Sequence, residues 1–105
     1  MTFEELEFKV TQWAHARQII PNSKPAAQLL KTMSELGELA DATLKTDWAE
    51  IEDGVGDVLV TLILYCRLQD IAIVDCLAGA YATIKDRKGT LTPEGIFVKE
   101  TGGER

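Results

Sequence analysis

The nine residues VLVTLILYC at 58–66 are apolar almost without interruption. They extend a segment whose apolar positions Ile51, Val55, Val58, Leu59 and Leu62 recur at helical spacing, so one broad face becomes, after Asp57, a helix apolar nearly all round. A helix that is hydrophobic on every side is buried on every side. The run is about half of the roughly 20 residues a membrane span requires, so protein must cover it. In a chain of 105 residues, which forms one domain with a modest core, a lone bundle leaves each helix one wet face. Packing against a second copy is therefore expected, most simply as a two-fold homodimer, with pairing of dimers into a tetramer left open.

The remaining helical segments follow from the same periodicity. Residues 3–18 carry Phe3, Leu6, Val10, Trp13 and Ala14 at i, i+3, i+4 and i+7 spacing, ending before Pro21. A second helix runs from an N-cap at Ser23, with Pro25 in its first turn, to about Lys45. Asp47 followed by Glu50 resembles a capping box opening the third, which continues to about Leu68. A fourth, about 73–87, stops at Gly89. From there GTLTPEGIFVKETGGER predicts a turn, an extended piece and a frayed end. Short connections make neighbouring helices antiparallel. The expected fold is all-α: one domain over 1–105, an antiparallel four-helix bundle with a short irregular or extended C-terminal tail from about residue 89.

Composition excludes several classes of function. Hydrophobic residues at 46% and charged residues at 27% are ordinary globular values, and the net charge of −6 opposes nonspecific binding to nucleic acid or anionic membrane. Met1 opens a polar, acidic segment rather than a signal peptide, so a cytoplasmic location is expected. Cys66 and Cys76 lie in apolar helical surroundings without CxxC or Cys/His spacing, which reads as buried reduced thiols. No GxxxxGK[ST] loop is present, and the single His15 does not support a Ser/His/Asp arrangement.

Two acidic stripes stand out against this background. In SELGELAD at 34–41, Glu35 and Glu38 lie about 60° apart on the second helix, with Lys31 one turn earlier. In EIEDGVGD at 50–57, Glu50, Asp53 and Asp57 fall within about 60° of one another beside the apolar face. Any single ExxE is commonly just a solvated helix face. Here, however, the stripes occupy sequence-adjacent helices, and Asp57 heads into the apolar run, where its charge would lose solvation unless something positive compensated it. Glu35, Glu38, Asp53 and Asp57 make an all-oxygen donor set that suits Mg²⁺, or Mn²⁺ in its place, over zinc or copper.

KTMSELGELAD, EIEDGVGDVLVTLI and IKDRKGTLTPEGIFVKE together resemble the MazG-like nucleotide pyrophosphohydrolases, particularly the short single-domain forms of phages, over about residues 23–100. The pattern of that all-α superfamily is ExxE on one helix and ExxD on the next, binding Mg²⁺. The resemblance implies metal-dependent hydrolysis of a nucleoside triphosphate to the monophosphate and pyrophosphate. It maps ExxE onto Glu35 and Glu38, and the final Asp onto Asp57. The residue three before Asp57 is Gly54, so literal ExxD fails there. Asp53, one residue earlier, is the substitute ligand, since i and i+4 share a helix face.

Under that reading the metal inverts the local sign so that carboxylates can grip a polyphosphate, and it lowers the pKa of a bound water. Glu38, Asp53 and Asp57 mainly hold the ion, while Glu35 either ligates it or orients and deprotonates the attacking water; the Glu35 and Glu38 roles can be exchanged. Lys85, Arg87 and Lys88 would bind distal phosphate oxygens or departing pyrophosphate, or else simply complement a helix dipole; Lys31 is a further phosphate candidate. Trp13 is either a core aromatic or a stacking platform for a base. Two other classes stay open: a non-catalytic helical dimerisation or regulatory module, and a metal-nucleotide-binding protein with little turnover because Gly54 replaces a ligand.

Overall fold

The computed structural model describes residues 1–100. The chain forms helices α1 (Phe3–Ala16), α2 (Ile19–Asn22), α3 (Pro25–Lys45), α4 (Trp48–Leu68) and α5 (Ile73–Ile84), then strands β1 (Gly89–Leu91) and β2 (Phe97–Lys99). It divides into two compact units, Met1–Asp75 and a second beginning at Cys76. The helical class is as expected. Among the described residues no helix is long and apolar enough to cross a membrane.

In the first unit, α1 opens with a capping box: Thr2 Oγ1 accepts from the Glu5 N–H at 3.0 Å, and Glu5 Oε1 accepts from the Thr2 N–H at 2.7 Å. The helix ends at Ala16 rather than continuing to 18, because Gln18 takes a left-handed φ of 62°. A single turn, α2, follows, with a cis peptide bond before Pro21. Ser23 is extended and closes this turn, and the N-cap of α3 is Lys24. The reason for this one-residue difference is that Ser23 Oγ accepts from Gln28 Nε2 at 3.0 Å instead of capping the backbone, while Pro25 begins the helix without needing an N–H partner.

α3 and α4 form a long antiparallel hairpin. Its turn is only Thr46 and Asp47: Thr46 caps α3 in the left-handed region at φ 56°, and the Asp47 side chain accepts from the Glu50 N–H at 3.2 Å to start α4. The register is marked twice. Thr32 Oγ1 donates to Thr61 Oγ1 at 2.8 Å in the buried seam, and Leu39 lies against Gly54, so seven residues forward on α3 match seven back on α4. The α1 and α2 helices pack on α4, where Ala14, Ile20 and Leu64 make a small core flanked by Val10, Ile19, Val60 and Leu68. Glu7 is buried beside it, its Oε2 3.3 Å from Arg67 Nη2 and accepting from the Ile73 N–H at 3.1 Å, which ties α1 to the end of α4 and the start of α5.

The second unit departs from expectation in two ways. The helix stops at Ile84 rather than 87, and Gly89 is not its stop signal but the first residue of a hairpin, in which it pairs with Lys99. A side chain at Gly89 would collide with the Val98 carbonyl and Lys99 Cα, so the hairpin requires glycine there. The extended piece expected at IFV is the strand FVK, one residue later, with GTL as its antiparallel partner. The expected frayed end, 101–105, lies outside the described residues. Cys66 is buried as anticipated, whereas Cys76 is exposed because it lies on a helix with no buried residue.

Candidate functional site

The α3–α4 hairpin presents its two acidic stripes to the same side. Glu38 and Asp41 from α3 face Glu50, Asp53 and Asp57 from α4 across an open hollow of about 350 Å³, with Lys45 at its edge and Gly54 in its floor. The antiparallel register explains the meeting: with Leu39 opposite Gly54, Glu38 stands level with the 53–57 turn. Asp41 and Lys45 were not singled out in the sequence, although they continue the Glu38 stripe at i+3 and i+7.

Glu35 takes a different place. It is buried at 8% exposure, paired with Lys31 Nζ at 3.5 Å, and lines a second hollow of about 440 Å³ together with Asp57, Trp13, Gln28, Thr61 and Leu64. Asp57 and Trp13 also line a third, apolar recess with Leu6, Val10 and Val60. Asp57 is therefore the residue common to an acidic hollow and two largely apolar ones. Asp57 is not desolvated, as its place before the apolar run predicts, but exposed in the single chain, since α4 turns it toward the hollows rather than into the α1–α4 core.

Gly54 is buried against Leu39 of α3. A Cβ there would stand 3.2 Å from Leu39 Cδ1 and 3.3 Å from Leu39 Cβ. The departure from ExxD thus coincides with tight helix packing. Asp53 lines the acidic hollow in company with Asp57, as i, i+4 spacing requires.

The donor set suits a hard divalent cation: carboxylate oxygens from both helices, without thiol or imidazole, line the acidic hollow. Among the described residues, no group of three or more His, Cys, Asp or Glu side chains stands close enough to hold a metal ion as positioned. Glu38, Asp53 and Asp57 are exposed and line the same hollow. Trp13 is 43% exposed, with the Arg17 guanidinium 4.8 Å from its ring centroid. Lys85, Arg87 and Lys88 are exposed in the second unit, in the stretch between α5 and β1. His15 and Trp48 are exposed and line none of these hollows.

Comparison with known proteins bears on this arrangement. Residues 23–91 match the MazG nucleotide pyrophosphohydrolase domain, a span that contains both acidic stripes and the basic cluster. Over 64 residues the chain is 31% identical to an uncharacterized 18.2 kDa protein in the rep-hol intergenic region of Haemophilus phage HP1, covering 61% of this chain and 39% of that protein. The match thus spans about two-fifths of that relative's length. No solved structure matches the chain. With the family pattern falling on the hairpin that builds the acidic hollow, the chain belongs to the MazG nucleotide pyrophosphohydrolase domain family.

Proposed function

We propose that this protein is a Mg²⁺-dependent nucleoside triphosphate pyrophosphohydrolase that converts a ribo- or deoxyribonucleoside triphosphate to its monophosphate and pyrophosphate. The observation that carries the reading is the adjacency of two chemically different hollows sharing Asp57, one lined by carboxylates and one by Trp13, Val60 and Leu64. A nucleotide is likewise a charged polyphosphate joined to an apolar ring system, and ligand sites combine apolar walls with a few placed polar groups.

In this reading Glu38, Asp53 and Asp57 hold the ion, with Glu50 and Asp41 beside them. When bound, Mg²⁺ or Mn²⁺ supplies charge neutralisation and polarisation of phosphate oxygens. The chain's own residues do the rest. Glu35, buried and lining the hollow it shares with Asp57, is assigned to orient a water and accept its proton, with Lys31 Nζ 3.5 Å from its carboxylate. Lys31, which lines the hollow with Glu35 and Asp57, is assigned to a phosphate oxygen. Lys85, Arg87 and Lys88 are assigned to distal phosphates or departing pyrophosphate. Trp13 offers an indole face to the base, with Arg17 on the ring adding cation–π support. Nucleoside triphosphates place the reaction in the cytoplasm.

We further assign a homo-oligomer, a dimer or a pair of dimers. Its support is the side of the α3–α4 hairpin away from the acids, where Leu29, Met33, Leu36, Trp48, Val55 and Leu59 are exposed. Apolar side chains at that density mark an interface. A second copy there leaves the acidic hollow open.

The test is incubation of purified protein with canonical and modified nucleoside triphosphates, with Mg²⁺ and with chelator, beside Glu38→Gln. Pyrophosphate and monophosphate should form only with metal and the native carboxylate. Silence across the panel from folded protein would turn the assignment to a helical dimerisation module, or to a nucleotide binder if ligand still binds.

A further inference from the structure

The hollow beside Asp57 holds, besides Thr61 of the α3–α4 seam, a polar side chain that neither the acidic stripes nor the proposed hydrolysis uses. Gln28, half-buried in the first turn of α3, lines it with Trp13 and Thr61. Its Nε2 donates to Ser23 Oγ at 3.0 Å, which tethers the amide at the wall of the hollow. Ser23 is itself held by its backbone, whose N–H donates to the Ile19 carbonyl at 2.7 Å. The side-chain amide therefore retains an unspent acceptor, Oε1, and one N–H on a rigid mount. A fixed amide in a largely apolar hollow is a placed recognition group rather than a solubilising one.

We propose that Gln28 reads the edge of the nucleobase and that Ser23, by tethering its amide, holds it where a base edge can meet it. The inference rests on the hydrolase reading and deepens it, naming a specificity-determining residue for the same site. The geometry is coherent with that site: a base against Trp13 lies in the hollow that shares Asp57 with the carboxylates, so its phosphates reach the acidic side. An amide presenting one acceptor and one donor can pair with a base edge that presents the complementary two, and a mismatched edge leaves a polar group unsatisfied.

The experiment compares wild type, Gln28→Glu, Gln28→Ala and Ser23→Ala in kcat/KM for the four deoxynucleoside triphosphates with Mg²⁺. Binding of the corresponding monophosphates is followed in chelator by Trp13 fluorescence in a Trp48→Phe background. Gln28→Glu keeps the shape and the acceptor but loses the donors. It should shift preference about threefold to tenfold toward bases carrying an exocyclic amino group over those carrying a carbonyl there, in both readouts. Gln28→Ala should flatten the ratios between bases, and Ser23→Ala should flatten them less, with the rate on the poorest substrate little changed. A uniform loss on all four bases, or unchanged ratios, would overturn the role of Gln28 while leaving the hydrolase reading intact. Wild-type protein that is folded yet hydrolyses none of them, with or without Mg²⁺, would overturn that reading and this inference together.

Discussion

Gly54 of α4 lies so close to Leu39 of α3 that a single added carbon would stand 3.2 Å from Leu39 Cδ1. The position to which the expected ExxD pattern gives a glutamate is, in this chain, packed against Leu39 of the neighbouring acid-bearing helix. Asp53, one residue earlier, faces the acidic hollow instead. Glycine at 54 thus admits Leu39 into the seam, while Asp53 keeps a carboxylate on the hollow. Gly54→Leu should overpack the seam and lower stability by about 1–3 kcal/mol, read from urea denaturation. An unchanged midpoint would mean that the helices are not in contact there.

Thr46 is a β-branched residue with φ 56°, in the two-residue turn that joins α3 to α4. L side chains other than Asn and Asp rarely take this conformation, and helices usually end there with glycine. Thr46→Gly should raise stability by about 0.5–1 kcal/mol, visible as a higher melting temperature, with the activity unchanged. A drop in melting temperature would contradict the left-handed turn.

The buried carboxylate of Glu7 serves Arg67 and the Ile73 N–H at once. Glu7→Ala leaves both without their acceptor, although Arg67, one third exposed, regains some hydration. The expected cost is roughly 1–3 kcal/mol. If Arg67→Met in the Glu7→Ala background recovers nothing, the ion pair is not what stabilises this joint.

An acidic hollow that binds Mg²⁺ stabilises the native state by mass action. Saturating Mg²⁺, at about 100 times the dissociation constant, should add about 2.7 kcal/mol, and Asp57→Asn should abolish that shift. Because Asp57 is exposed and makes no buried contact that folding needs, the variant should keep its circular dichroism while losing at least about a hundredfold in pyrophosphate release. A metal-dependent rise in melting temperature that survives Asp57→Asn would place the ion elsewhere.

The apolar side of the hairpin makes its own test. Leu36→Glu and Leu59→Glu put charges where Leu36 is 50% and Leu59 38% exposed in the single chain. Sedimentation should show the wild type as a dimer or tetramer and the double variant shifted to monomer. A monomeric wild type would contradict the assignment of this face.

Helical periodicity was enough to place α3 and α4 within a few residues, because both bury one continuous apolar stripe against each other and turn within two residues. The same spacing groups Glu35 with Glu38, and Asp53 with Asp57, since residues three or four apart share a helix face whatever lies around them. Sequence could not divide those acids between hollows. That depends on the register of Thr32 with Thr61 and Leu39 with Gly54, a relation between two helices that neither helix contains alone. Tertiary packing likewise decided that Ser23 serves Gln28 rather than a helix end, and that Gly89 admits a neighbouring strand rather than stopping a helix. Local patterns are set by the chain's own geometry over one or two turns, whereas the partner of a polar group or a missing side chain is set by what packs against it.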